Sequence, residues 1–177
     1  MTERNAVTGD YLGMPLRIDA LDAENLEFFG FCARGELRLQ RCGACGLLRY
    51  PPGTGCPWCG QPVSDWVAVE GRGTVYSYTQ VHHAIQAAFK PYIPYLVLLV
   101  ELDEQRGRPS EHEALRVVGN LVTPDARLAP PEIVQRAGIG SRVRAVYKNV
   151  APDLGVPLWT LDENAEVQGS VWRHPQA

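Results

Sequence analysis

Long apolar runs, lysine and phosphate-cradling glycine loops are what this 177-residue chain has least of. No apolar stretch reaches the roughly 18 residues needed to cross a bilayer, and the longest, Ile93 to Val100, is interrupted by Pro94, so no membrane span is expected. The opening residues, Met1 to Asn5, lack the basic-then-apolar pattern of a secretory leader, and the expected location is the cytoplasm. Lysine occurs only at Lys90 and Lys148, and 17 basic residues face 20 acidic ones for a formal net charge of −3. That balance, with no basic run, argues against a protein built to neutralise phosphates, and no nucleic acid is expected as a partner. No P-loop or GxGxxG motif opens a helix. Gly71-Arg72-Gly73 sits between two strand-like runs and reads as a barrel corner.

Cysteine is present, and its spacing is the strongest signal in the chain. Cys42-Gly-Ala-Cys45 and Cys56-Pro-Trp-Cys59 are two CxxC steps with ten residues between them. A CxxC turn aims two sulfurs at one point, and four soft sulfur ligands in tetrahedral array suit one structural zinc ion, with iron as the rubredoxin-like competitor. Four protein ligands leave no open position, so the ion builds structure and performs no chemistry. A redox dithiol needs only one CxxC, and neither pair lies in a βαβ setting. Metal-like spacing argues for a reducing compartment over a disulfide framework. The fifth cysteine, Cys32, is expected on the packing face of a helix.

The chain divides by pattern into three parts: an arm and helix over 1–36, a metal ribbon over 37–65, and a β domain with a tail over 66–177. Residues 1–20 carry no clear period and read as an arm. Asp22 can cap a helix running to Arg34, with Leu26, Phe29 and Ala33 at helical steps and Gly35 as the stop. Phe28, Phe29 and Phe31 give this short helix much aromatic surface, to be covered by its own chain or by another subunit. Residues 37–41 alternate and predict a strand into the first cysteine turn, with 47–50 as its partner. So short a ribbon depends on its metal to fold. From Trp66 the chain shows five or six β-branched runs, at 66–70, 74–81, 95–102, 115–122, 140–147 and 156–160, which indicate a small all-β barrel. In the second of these, Val75, Ser77, Thr79 and Val81 alternate with Tyr76, Tyr78 and Gln80, predicting two distinct faces. Residues 129–138 read as a short helical turn with Pro131 at its start.

A helix, a four-cysteine ribbon and a β barrel in that order, with the particular strings around them, resemble the acyl-CoA-associated zinc-ribbon and OB-fold family known as domain of unknown function 35. The resemblance runs from about Glu24 to Glu163. It rests on Gly35–Cys42 (GELRLQRC), Cys45-Gly, Tyr50-Pro-Pro, Cys56–Gly60 (CPWCG), Gly71–Thr79 (GRGTVYSYT), Pro94-Tyr95, Val100–Glu104 (VELDE) and Gly140–Val143 (GSRV). It implies a mainly β protein: an N-terminal helix, a rubredoxin-like zinc ribbon and a five-stranded OB-fold barrel. It further implies a non-catalytic companion of a thiolase-like or aldolase subunit in a hetero-oligomer, acting in lipid or steroid side-chain metabolism and able to help hold an acyl-CoA. The loop 104–113 looks longer and more charged than the shared pattern, and residues 1–20 lie outside it. Both are expected to tune partner choice.

No catalytic residue is assigned. His82 and His83 close the strand that starts at Thr74, but alternation sends them to opposite faces and no acid or nucleophile stands beside them in the sequence. Contact with partner or acyl-CoA is expected at Phe28, Phe29, Phe31, Arg72, His82, His83, Phe89, Lys90 and Tyr92. Two other readings stay open. One is a stand-alone acyl-CoA-binding or hydratase-like enzyme using His82 or His83. The other is a single-stranded nucleic-acid binder stacking bases on Tyr76, Tyr78, Phe89 and Tyr92.

Overall fold

A computed structural model of the chain describes residues 6–166 and 169–174; residues 1–5, including the opening segment used above to place the chain, lie outside the described residues. The chain forms two compact units. One contains the described residues up to Val69 together with Tyr147–Val156; the other contains Glu70–Val146 and the described residues from Pro157 onward.

In the first unit, the stretch read as an arm folds into a hairpin, β1 (Val7–Tyr11) and β2 (Met14–Ile18). Its two-residue turn places both Leu12 (φ 55°) and Gly13 (φ 82°) in the left-handed region, the type I′ geometry that matches strand twist. Asp10 Oδ1 accepts the Gly13 amide at 2.8 Å. The leucine at the first turn position hides this hairpin from sequence rules that look for Asn-Gly.

Helix α1 (Ala23–Ala33) starts where Asp22 caps it, its side chain accepting from the Asn25 amide. It stops where Gly35 (φ 77°) returns its amide to the Cys32 carbonyl at 3.0 Å while Glu36 donates to Phe31. The buried stripe is Phe28 and Cys32, one turn apart, while Leu26, Phe29 and Ala33 are half-buried. Tight approach decides this. Gly155 meets the helix so closely that a Cβ there would lie 2.5 Å from the Ala33 nitrogen, leaving the Cys32 side no solvent. Burial pushes the Cys32 thiol up to about 12, which makes it a packing residue.

Strands β3 (Leu37–Cys42), β4 (Leu48–Arg49) and β5 (Ser64–Val69) form one antiparallel sheet in the order β4-β3-β5. The run beginning at Trp66 therefore continues the ribbon: Leu37 pairs with Val69 and Cys42 with Ser64. The expected division at 65/66 falls inside β5.

The second unit is built on β6 (Arg72–Val81), β7 (Tyr95–Leu102), β8 (Arg116–Asn120), β9 (Arg142–Ala151) and β10 (Leu154–Leu161), in the sheet order β10-β9-β6-β7-β8. The outer ends of β9 and β10 belong to the first unit. A parallel bridge from Leu121 to Trp159 links the end of β8 back to β10 and closes the barrel. Strand β7 buries every second residue, Leu96, Leu98, Val100 and Leu102, as period-two alternation requires. In β6 the alternation is broken. A bulge between Val75 and Ser77 leaves Tyr76 unpaired and 44% exposed, with the Arg116 guanidinium 3.5 Å from its ring centroid. The two faces expected from Val75 to Val81 thus exchange at Tyr76. Gly73 is required by close approach: a Cβ there would press into the Glu101 carbonyl and within 2.6 Å of Val100 Cγ1. Helix α2 (Pro131–Val134) is one turn with Pro131 at its start. No described helix is long and apolar enough to cross a membrane.

The charged loop after β7 is bound to its own barrel. Glu104 accepts the amides of Glu70 (2.7 Å) and Gly71 (3.3 Å), and Gln105 is buried. Arg142 and Arg106 both donate to the Asp103 carboxylate, and both also reach Thr74 Oγ1. The Arg142 hydrogen bond, then that of Arg106, holds the Asp103 carboxyl below the usual range. Its folded pKa is depressed, so its stabilising contribution is complete above the unfolded value of about 3.9 and is lost as pH falls through the folded value. Asp103→Asn is therefore expected to lower the urea midpoint at pH 7 and to narrow its gap from wild type as the pH drops below about 4. Parallel midpoint curves for the two proteins across that range would refute this.

Candidate metal centre

The two cysteine turns are near copies of each other. Cys42 N donates to the Leu47 carbonyl at 3.0 Å, and Cys56 N to the Gln61 carbonyl at 2.9 Å. Each turn closes with a left-handed glycine, Gly46 (φ 71°) and Gly60 (φ 74°), whose amide returns to the carbonyl of the first cysteine at 3.0 and 2.9 Å. Only glycine adopts that conformation without steric cost, so Gly46 and Gly60 are the glycines these turns need.

This backbone brings the Sγ atoms of Cys42, Cys45, Cys56 and Cys59 within 4.8 Å of one another. Cys42 and Cys59 sulfurs are 3.5 Å apart, and those of Cys45 and Cys56 are 3.6 Å apart. A tetrahedral zinc with bonds of about 2.3 Å requires sulfur–sulfur edges of about 3.8 Å. Distances and donor set both fit, and the four sulfurs are positioned to bind one metal ion as a structural zinc requires. Backbone amides prepare them. Hydrogen bonds from the Cys45 and Ala44 amides hold the Cys42 thiol down at about 6. At Cys56, burial opposes but the Cys59 and Trp58 amides lower the thiol. At Cys45 the Leu47 amide is outweighed by burial and by the neighbouring sulfurs, and the thiol is pushed up to about 12. A dication held by the four sulfurs would cross-link two turns that have almost no core of their own.

Of the other residues singled out in the sequence, Phe28 is buried inside the first unit, its ring against Phe29 (5.2 Å) and Tyr50 (5.5 Å). Phe31 packs on Trp66 at 5.3 Å and lies under the guanidinium groups of Arg34 and Arg38. Arg72 pairs with the buried Asp162 at 3.4 Å. Phe89 packs toward Tyr95 at 6.0 Å, and Lys90, Tyr92 and His83 are exposed.

His82 alone of that set lines a groove of about 1070 Å³ in the second unit. Tyr78, Ile139, Leu96 and Val134 line it, together with Trp172, Arg173 and His174. Trp172 is 53% exposed and pairs with Ile139; Arg173 donates to the Arg136 carbonyl, and the His174 amide donates to Tyr78 Oη at 2.8 Å. Sequence reasoning assigned no role to 172–174, because a few residues beyond the last strand carry no period.

Gln40 and Arg49 were also missed. Both are buried beside the metal turns, and no local pattern distinguishes them from ordinary strand residues.

Two family models match the chain: the ChsH2 rubredoxin-like zinc ribbon domain over 29–63 and the ChsH2 C-terminal OB-fold domain over 66–148. A solved structure titled Ltp2-ChsH2(DUF35) aldolase is similar at 35% identity and a TM-score of 0.61, covering 80% of this chain and 97% of that one. A probable enoyl-CoA hydratase alpha subunit of Thermomonospora curvata is 37% identical over 79% of this chain. A 3-oxo-4,17-pregnadiene-20-carboxyl-CoA hydratase alpha subunit of Mycobacterium tuberculosis is 37% identical over 72% of it. The chain spans only 38% and 34% of the lengths of those two relatives. A DUF35 domain-containing scaffold protein of Methanocaldococcus jannaschii is 30% identical, over 64% of this chain and 68% of that protein.

Proposed function

Because this chain belongs to the ChsH2-type zinc-ribbon and OB-fold family of DUF35 proteins, we propose that it is a non-catalytic accessory subunit of an acyl-CoA enzyme. The enzyme is of the thiolase superfamily, a thiolase or retro-aldolase of lipid or steroid side-chain breakdown, and the complex works in the cytoplasm. The observation that carries this reading is the solved aldolase relative, whose DUF35 chain is aligned over 97% of its length at 35% identity. The scaffold title of the archaeal relative and the subunit titles of the two hydratases support the same role. The zinc ribbon supplies structure to the subunit. The groove by His82 and Trp172, about 1070 Å³ and lined by apolar and polar side chains together, is large enough to help hold an acyl-CoA chain.

A second reading is favoured by the hydratase titles: the chain itself acts on an enoyl-CoA through His82 in that groove. One experiment separates the two. Tagged protein purified from its native cell at moderate salt is expected to carry one zinc per chain and a stoichiometric thiolase-superfamily protein, identified by mass spectrometry. A zinc protein without such a companion would overturn the accessory reading. If that lone protein hydrates an enoyl-CoA and His82→Ala abolishes the turnover, the hydratase reading replaces it.

A further inference from the structure

The metal turns account for four cysteines but not for the polar cluster buried beside them. Arg49, on β4, is 3% exposed, and arginine is almost never fully buried without a charged partner. Its Nε donates to Gln40 Oε1 (2.8 Å), and its Nη2 donates to the Gly53 carbonyl (2.6 Å) and to Ser64 Oγ (3.0 Å). The same Gln40 oxygen accepts the Gly53 amide at 2.8 Å, which locks the cluster together. Nη1 has no hydrogen-bond partner among the described residues. Every acceptor is neutral, and among the described residues no carboxylate forms an ion pair with Arg49. A buried cation held only by neutral dipoles carries a large desolvation cost, so its counter-charge lies elsewhere.

Sheet register identifies it. Arg49 pairs with Gln40, Cys42 lies two residues further along β3, and Ser64 is the direct partner of Cys42 on β5. A strand turns alternate side chains to the same face, so Gln40, Cys42, Arg49 and Ser64 share one face. Burial agrees: Gln40, Cys42 and Arg49 are buried, while the intervening Arg41 is exposed. The guanidinium thus hydrogen-bonds the residue directly across from a metal ligand. Four thiolates around one divalent ion leave a net dianion.

We propose that Arg49 is the buried counter-ion of the tetrathiolate metal centre, a positioning residue that stabilises the metal-loaded cluster relative to the metal-free one. It touches no metal and acts through its charge, held in place by Gln40, Gly53 and Ser64. The inference stands on the metal turns alone and does not depend on which enzyme the chain accompanies.

The test uses the full chain and reads the metal. Arg49→Gln is expected to weaken zinc binding by roughly 10–100-fold, the range found for residues that support metal ligands from outside the coordination sphere. The measurement is competition against a chromogenic chelator at fixed pH and low salt, where charge is least screened. In protein loaded with iron instead of zinc, the reduced cluster carries one more negative charge than the oxidised one, so losing the cation is expected to lower the reduction potential. Arg49→Lys keeps the charge and is expected to restore both readings. Unchanged zinc affinity and iron potential in Arg49→Gln would overturn the proposal, a loss of thermal stability alone marking a plain cross-link. Equal losses in Arg49→Gln and Arg49→Lys would also overturn it, since charge would then not be the operative property. If Arg49→Gln does not fold, Ser64→Asp decides: it sets a carboxylate against the same guanidinium. A fall in both readings supports the proposal, and no change in either refutes it.

Discussion

Cys42→Ser is expected to leave the chain without bound zinc and with its first unit unfolded. Cys42 is buried, its amide closes the first turn onto Leu47, and the Cys45 and Ala44 amides lower its thiol. A serine hydroxyl at this position remains protonated near neutral pH and is a poor zinc ligand. Structural zinc sites in small domains contribute apparent binding free energies of about 10–16 kcal/mol. Whole domains are stable by only about 5–15 kcal/mol, so the ribbon cannot survive the loss by packing alone. Strand β4 has two residues, and α1 buries only Phe28 and Cys32. Elemental analysis of the purified variant and limited proteolysis across 37–69 provide the readout, and loss of the proposed companion enzyme is the functional consequence under the accessory-subunit proposal. Cys32→Ala is the control: it removes a buried sulfur outside the cluster and is expected to retain one zinc per chain. Full zinc occupancy and an undiminished resistance to proteolysis across 37–69 in Cys42→Ser would defeat this account of the ribbon.

Trp159→Ala is expected to destabilise the barrel by about 3–5 kcal/mol while leaving the zinc in place. Trp159 is 0% exposed and the largest of the fully buried side chains. It lies against Gly119, where a Cβ would fall 2.9 Å from Trp159 Cδ1, so strand and ring were fitted to each other. The backbone hydrogen bond from Val122 to the Trp159 carbonyl (2.8 Å) survives truncation, so the cost comes from the cavity left behind. Trp159→Phe is expected to cost much less, because the indole N–H has no hydrogen-bond partner among the described residues and its removal forfeits none. Urea midpoints at unchanged slope measure both effects. A shift below about 1 kcal/mol for the alanine variant would mean that the site collapses around the smaller side chain.

The features legible in the sequence are those made by neighbours along the chain. Each cysteine turn is complete within six residues, from Cys42 to Leu47 and from Cys56 to Gln61, so its spacing alone specified four sulfurs around one ion. The Asp22 cap, the Gly35 stop and the strand-forming run at 95–102 are equally local, and each appears in the structure where the residues placed it. The hairpin at Leu12-Gly13 is local as well, but it uses a residue type that turn rules do not anticipate.

Everything that depends on a distant partner escaped. Whether β5 joins the ribbon is decided by its pairing with β3, more than twenty residues upstream, and that pairing leaves no mark in its own six residues. The bulge that exposes Tyr76 is a shift of register between β6 and β7, set by a strand more than twenty residues away. The burial of Phe28 rather than Phe29 goes with its contact with Tyr50, and that of Cys32 with the approach of Gly155. One part of the groove's lining comes from residues 172–174, which return to β6 and Ile139. Arg49 is the sharpest case, an unremarkable strand arginine until the sheet buries it beside a ligand's partner. The sequence by itself determined the metal centre, the family and the succession of the five barrel strands, because coordination chemistry and chain stiffness act over a few residues. Tertiary structure decided which residues are buried, which strands pair and what surrounds the metal, because burial and pairing are properties of segments far apart in the chain.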